Sequence, residues 1–269
     1  MSDVRGLIDA HVHAGPEHVP RRFDYLELAK EARHAGMAGI IIKSHTSMTA
    51  DRAQIAQKNT RGISVWGGLV LNRWCGGLNP AAVENAIGYG AAVIWLPTLD
   101  AANDPQYHRS TLPGIHVTAC QDLHDILSLI SKHDVILATG HCSVEEIQLV
   151  TRLAREHGVK KIIITHVEAP FIGMDLNTQL QLATQGCMLE RTWVFTTAVL
   201  GRRLSPQAVV QGIKDVGVES TILATDMGQA DNPSPIEGYC EYVTACQQGG
   251  FNDSHIRRMA FENVRAWLP

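Results

Sequence analysis

The feature that most constrains this chain is the regular return of short apolar runs, each followed by a stretch with helical periodicity. About eight such runs occur at spacings of roughly 25–35 residues. Most of them lack the alternation of apolar and polar residues that is typical of a strand with one solvent-exposed face. They lie in 6–15, 38–43, 63–72, 91–97, 134–139, 160–165, 187–190 and 221–225. Strands and helices that alternate in this way predict parallel β-α units.

The length of the chain fits one closed barrel built from such units. A (β/α)8 TIM barrel occupies about 250 residues, and this chain has 269, of which 45% are hydrophobic. We therefore predict an α/β protein with one barrel domain over residues 1–269. A doubly wound open sheet is the alternative, but no GxGxxG motif follows the first run.

Charge and composition restrict the partners of the protein. A net charge of −4 and a pI near 6.3 provide no basic surface for nucleic acid. No apolar run approaches the roughly 20 residues of a membrane span, and the first residues show no signal-peptide pattern. The six cysteines show no CxxC pairing, which predicts reduced thiols. We expect a cytoplasmic protein with a small-molecule substrate, no nucleic-acid or membrane partner, and homo-oligomerisation as an ordinary outcome for such a barrel.

The first run ends in a pair of histidines, His11 and His13. Alternate side chains of a strand point the same way, so the two imidazoles project from one face. Such a pair is typical of half a metal site, although one histidine in the core and one in a loop would give the same pattern.

Further polar residues follow the later apolar runs. They are Lys43, Asn72, His141, His166, Glu190 and Asp226, with Arg73 in the loop after Asn72. In a (β/α)8 barrel the carboxyl ends of the strands meet around one axis, where the active site lies. We therefore expect most of these side chains to share a site with the histidine pair.

This arrangement resembles the amidohydrolase superfamily of metal-dependent (β/α)8 enzymes. The resemblance rests on His-x-His in the first strand, His141 after the fifth, His166 after the sixth and Asp226 after the eighth. The runs IIIKSH, GGLVLN and LATGH also resemble an uncharacterised group of predicted metal-dependent hydrolases. The resemblance implies a hydrolase in which metal-activated water attacks the substrate and Asp226 is the general base.

The fourth run departs from the superfamily pattern, because VIWLPT contains no carboxylate or lysine to bridge two metals. The interpretation that we favour is a mononuclear site in which His166 is a catalytic or outer group. Its metal ligands would be His11, His13, His141 and Asp226.

Two other interpretations stay open. In one, Glu190 supplies the missing carboxylate while His141 and His166 bind a second metal ion. In the other, a carboxylated Lys43 bridges two ions from the second strand. Imidazole and carboxylate ligands suit zinc best, with manganese, iron or cobalt as alternatives.

The remaining candidates concern the substrate. Lys43 and Arg73 are cations that would bind a substrate carboxylate, and Asn72 would hydrogen-bond a carbonyl. The expected reaction is hydrolysis of a C–N or C–O bond in a small amide, lactone or cyclic imide. A metal-dependent decarboxylase of a small carboxylic acid and a non-catalytic metal-binding barrel are the alternatives. The long loop over 98–117, which contains His108 and Arg109, is a candidate lid.

Overall fold

A computed structural model describes residues 3–104, 111–200 and 203–269. Its eight parallel strands pair in the order β1-β2-β3-β4-β5-β6-β7-β8. They are β1 (Ile8–His13), β2 (Gly39–Lys43), β3 (Ser64–Val70), β4 (Val93–Trp95), β5 (Ile136–Ala138), β6 (Ile162–Ile164), β7 (Met188–Thr192) and β8 (Thr221–Ala224). Backbone contacts between β8 and β1 nearly close the ring, since the Asp226 amide donates to the His11 carbonyl at 2.8 Å. The predicted single-domain (β/α)8 barrel is confirmed.

Helices follow the strands and surround the barrel. They are α1 (Tyr25–His34), α2 (Ala50–Asn59), α3 (Pro80–Gly88), α4 (Gln121–His133), α5 (Val144–Glu156), α6 (Leu176–Thr184), α7 (Pro206–Val216), α8 (Pro235–Gln248), α9 (Asp253–Arg257) and α10 (Asn263–Arg265). Local sequence sets several of their starts. Asp24 and Ser143 each cap the first turn in a capping box, which satisfies amides that have no partner within the helix.

Two apolar layers hold the barrel together. Inward side chains such as Ile8, Ile41, Trp95 and Ile222 fill its interior. The other strand faces pack against the helices, for example through Ile42. Strands covered on both faces explain why their sequences read as continuous apolar runs.

Part of the predicted lid lies outside the described residues, because 105–110 contains both His108 and Arg109. Across the three described ranges, no helix combines the length and apolar composition needed to cross a membrane.

Candidate metal centre and cavity

The candidate site lies at the carboxyl ends of the strands. His11 and His13 are on β1, while His166 and Asp226 each follow the end of a strand. Both of these latter residues have left-handed backbones, with φ of 55° and 54°, which bend the chain sharply after the strand. The buried polar side chains at this end are His11, His13, Lys43, His45, His141, His166, Glu190 and Asp226.

Asp226 is the common partner of three imidazoles. Its Oδ1 lies 3.0 Å from His11 Nε2 and 2.9 Å from His13 Nε2. Its Oδ2 lies 3.6 Å from His166 Nε2. Ligand atoms of a tetrahedral zinc ion, each about 2.1 Å from the metal, are roughly 3.4 Å apart. The distances from Asp226 to the three imidazoles therefore match the spacing of donors around one ion.

The hydrogen bonding of these residues also fits a metal. Ligand atoms of His11, His166 and Asp226 all lie within 4.8 Å of one another. Among the described residues, His11 Nε2 is buried and has no well-formed hydrogen bond. A buried polar atom without a hydrogen bond is costly, and coordination to a metal ion would remove that cost.

Glu190 lies on the other side of the imidazole rings. Its Oε1 is 3.1 Å from His11 Nδ1 and 3.4 Å from His166 Nδ1. Glu190 hydrogen-bonds His11 Nδ1, whereas His166 Nδ1 hydrogen-bonds Thr192 Oγ1 at 3.1 Å. The carboxylate therefore favours a proton on Nδ1 of His11 and leaves the Nε2 lone pair of that ring available for a metal. The geometry therefore makes Glu190 an outer partner of two histidines, facing away from Asp226.

Burial and neighbouring charges shift the pKa of each ligand candidate. Burial alone would lower the pKa of His11, but the nearby Asp226 and Glu190 carboxylates outweigh it and raise that pKa, whereas the pKa values of the other three candidates are lowered. Burial, with the nearby Arg21 charge, lowers the pKa of His13 to about 3. Burial likewise lowers the pKa of His166 to about 3. Burial alone would raise the pKa of Asp226, but the surrounding imidazoles outweigh it and hold that pKa well below its usual range. At neutral pH the site therefore offers two neutral imidazoles and an ionised carboxylate.

His141 is also oriented toward the cavity mouth. Its Nδ1 lies 2.8 Å from Asp104 Oδ2, and its buried Nε2 has no hydrogen-bond partner among the described residues. The preceding Gly140 has φ of 62°, and a Cβ there would lie 2.4 Å from the Leu96 carbonyl. Glycine is needed at this turn, which brings His141 over the barrel.

A cavity of about 120 Å³ opens beside these residues. Part of its wall is formed by histidines and Asp226, and another part by leucine and phenylalanine side chains. It is lined by His13, Val19, Arg21, His45, Leu99, His141, His166, Phe171, Phe195, Leu200, Asp226 and Gln229.

The three predicted substrate-binding residues do not line this cavity. Lys43 is fully buried, with Nζ 5.7 Å from the Trp95 ring centroid and no hydrogen bond to any described residue. The Asn72 amide donates to Thr98 Oγ1 and accepts from the Thr98 amide, so it fixes a loop. Arg73 donates to the Pro113 carbonyl at the rim. The structure thus gives Asn72 and Arg73 local structural contacts and leaves Lys43 inside the barrel.

Sequence reasoning missed Glu17 and Arg21, which lie in the loop after β1. Their side chains form a buried ion pair with Nη2–Oε2 at 2.5 Å, and Arg21 lines the cavity. Their sequence, EHVPRR, has the composition of a solvated loop. The only available signal was their position after a strand that carries metal-ligand candidates.

Similarity to solved structures defines the class of the fold. An amidohydrolase from Pseudomonas aeruginosa is similar to this chain with a TM-score of 0.68 and 10% identity, over 98% of this chain and 95% of that chain. A lactonase from Listeria monocytogenes is similar with a TM-score of 0.68 and 11% identity, and the match covers 99% of this chain and 95% of the lactonase. A 2,6-dihydroxybenzoate decarboxylase from Rhizobium is similar with a TM-score of 0.58 and 12% identity, and the match covers 98% of each chain. These similarities show the fold alone: the chain shares the barrel fold of an amidohydrolase, a lactonase and a decarboxylase, the fold that the resemblance seen in the sequence implies.

Sequence similarity identifies a narrower family. The model of a family of unknown function, DUF6282, matches residues 6–190. Because this segment is more than half of the chain, the protein belongs to that family. No curated protein matches the chain in sequence.

Proposed function

We propose that the protein is a metal-dependent hydrolase that cleaves a C–N or C–O bond of a small amide, lactone or cyclic imide. The observation that carries this proposal is the convergence of three imidazole Nε2 atoms on the Asp226 carboxylate beside a small cavity. The similarity in fold to a lactonase and an amidohydrolase supports the same reaction class.

The geometry favours one metal ion, with zinc as the first candidate. Its ligands would be His11, His13 and Asp226, with His166 on the remaining side. This differs from the ligand set that we favoured from the sequence, where His141 was a ligand and His166 was not. The reason is distance from Asp226: His166 Nε2 lies 3.6 Å from Asp226 Oδ2, whereas no hydrogen bond or ion pair joins His141 to Asp226 among the described residues.

A divalent ion at this position supplies Lewis-acid activation of water and of a carbonyl group. Asp226 would accept the proton of the attacking water and pass it to the leaving group. His141 lines the cavity and has no hydrogen bond at Nε2 to a described residue, so this nitrogen would hydrogen-bond the substrate carbonyl. The aromatic side of the cavity would exclude bulk water from the reacting bond.

A decarboxylase is the second candidate. The similarity in fold to a 2,6-dihydroxybenzoate decarboxylase favours it, as does the presence of a cationic side chain, Arg21, in the cavity wall. A non-catalytic metal-binding barrel would not account for the cavity. In a structural metal site, protein ligands fill every coordination position, so neither a cavity nor a histidine beside it is needed. A second ion held by His141, with Glu190 or a carboxylated Lys43, is tested by metal stoichiometry.

The proposal is tested with a substrate panel on protein loaded separately with zinc, manganese, iron and cobalt. The panel contains lactones, cyclic amides and imides, and carboxylated aromatics, and both hydrolysis and carbon dioxide release are measured. Hydrolysis that disappears in Asp226→Asn but persists in the surface control Asp231→Asn supports the hydrolase. Carbon dioxide release without addition of water would favour the decarboxylase instead.

A further inference from the structure

One cation in the wall of the cavity is not among the proposed metal ligands. We propose that Arg21 binds an anionic group of the substrate, a carboxylate, close to the reacting bond. This inference rests on the proposed function, because it names the substrate class of the same site. Among the described residues that line the cavity, Arg21 is the only lysine or arginine.

The guanidinium of Arg21 is held rigidly in place. Its Nε and Nη2 donate to Glu17 Oε2, at 2.6 and 2.5 Å, and the side chain is only 4% exposed. Glu17 in turn accepts from the His45 amide at 2.5 Å and from Ser44 Oγ at 3.1 Å. The cation is therefore fixed before a ligand arrives, which lowers the entropic cost of binding one.

The guanidinium still has hydrogen-bonding capacity. Nη2 also lies 3.2 Å from His13 Nδ1, whereas Nη1 makes no hydrogen bond with a described residue. A carboxylate entering the cavity can accept from Nη1, and charged hydrogen bonds of this kind are among the strongest in proteins. Arginine is well suited to this role because its charge persists at any physiological pH.

The position of Arg21 specifies where the anionic group lies in the substrate. The guanidinium contacts Nδ1 of His13, and Nε2 of the same ring lies 2.9 Å from Asp226. One imidazole ring therefore separates the anion site from the proposed base. The carboxylate must lie within a few bonds of the carbon that is attacked.

The apolar side of the cavity adds a second property of the substrate. The rings of Phe171 and Phe195 are T-shaped with centroids 6.0 Å apart, and they pack 5.0 Å from the ring of His141 and 5.6 Å from that of His166, respectively. Flat aromatic walls favour a planar, unsaturated body. The substrate class is thus a compact planar carboxylate, such as a monocyclic lactone or imide that carries a carboxylate.

The other two cations considered from the sequence do not compete for this role. Lys43 is buried inside the barrel, and Arg73 lies at the rim with its side chain one-third exposed. Arg73 therefore offers a matched control for Arg21.

The test uses benzoate and its neutral analogue benzamide as probes in isothermal titration calorimetry. Each probe is titrated into metal-stripped and zinc-loaded protein, because a carboxylate could also bind zinc. We expect benzoate to bind wild-type protein in both states and to bind Arg21→Met roughly 10- to 100-fold more weakly. Benzamide affinity should change little, and Arg73→Met should match the wild type.

Arg21→Met leaves the Glu17 carboxylate buried and unpaired, so the double variant E17Q/R21M is measured alongside it. Both variants should lose benzoate affinity, whereas Arg21→Lys should recover part of it. Equal benzoate affinity in wild type and E17Q/R21M, or no benzoate binding to the wild type at millimolar concentration, would overturn the inference. Arg21-dependent benzoate binding in a protein that neither binds metal nor turns over any substrate would overturn only the proposed function.

Discussion

Replacing Glu190 with glutamine tests how the histidines of the candidate metal centre are oriented. The carboxylate is almost fully buried, with Oε1 3.1 Å from His11 Nδ1 and 3.4 Å from His166 Nδ1. Glutamine keeps the size of the side chain but removes the charge that favours a proton on Nδ1 of His11. It also allows an amide N–H to face a ring N–H, which would turn that imidazole away from the metal.

The size of the effect distinguishes an outer partner from a ligand. Loss of a group that orients a ligand lowers metal affinity by roughly 10- to 100-fold, which is about 1.4–2.8 kcal/mol. Since Glu190 hydrogen-bonds one proposed ligand, His11, while Thr192 holds His166, we expect the lower part of this range. The number of bound ions should stay at one per chain.

The assay is competition for zinc between metal-stripped protein and a chromophoric chelator. The matched control is Glu168→Gln, which changes another buried carboxylate. Glu168 pairs with Arg191, with Nη1–Oε1 at 3.1 Å, and has no contact with Asp226 among the described residues. Its substitution should leave zinc affinity within about threefold of the wild-type value.

Two results would refute the outer-partner assignment. Unchanged zinc affinity in Glu190→Gln would mean that the carboxylate does not hold the imidazoles. Two zinc ions in the wild type and one in the variant would make Glu190 a ligand of a second ion.

Three further predictions concern the base, the buried thiols and a buried carboxyl. Asp226→Asn should abolish turnover while the histidines retain zinc at reduced affinity, measured by a rate assay and by metal content. Burial raises the pKa of the Cys142 thiol well above its usual range and that of Cys246 to about 12, so iodoacetamide at pH 8 should label neither until the protein is denatured. Burial also raises the pKa of Asp9 to about 6, so the folded protein binds a proton there that the unfolded chain releases near pH 4. This contribution to stability is present at low pH and lost as pH rises toward 6, and urea unfolding of metal-stripped Asp9→Asn should lack that loss.

The barrel could be predicted from the sequence because the pattern of an apolar run followed by a helical stretch is repeated along the chain. Each strand is covered on both faces, so the apolar runs mark the strands without any knowledge of their partners. Once the barrel is assumed, residues after the runs must meet at one end, and this brings His11, His13, His166 and Asp226 together.

The details of the site depended on features that the sequence does not reveal. The left-handed backbone at His166 brings its ring to Asp226, whereas His141 is directed by Asp104 in a distant loop. Glu17 and Arg21 resemble a solvated loop in sequence but are buried against one another. Side-chain contacts between loops that are far apart in the chain decide such cases, and periodicity carries no information about them.

We propose that one divalent ion binds between the β1 histidines and Asp226. The most direct measurement is the metal content per chain of protein that has been purified without chelator and then saturated with zinc. We predict one equivalent in the wild type and substantial loss in His11→Ala. Two equivalents would contradict the mononuclear centre, and no bound metal under any supplement would contradict the whole proposal.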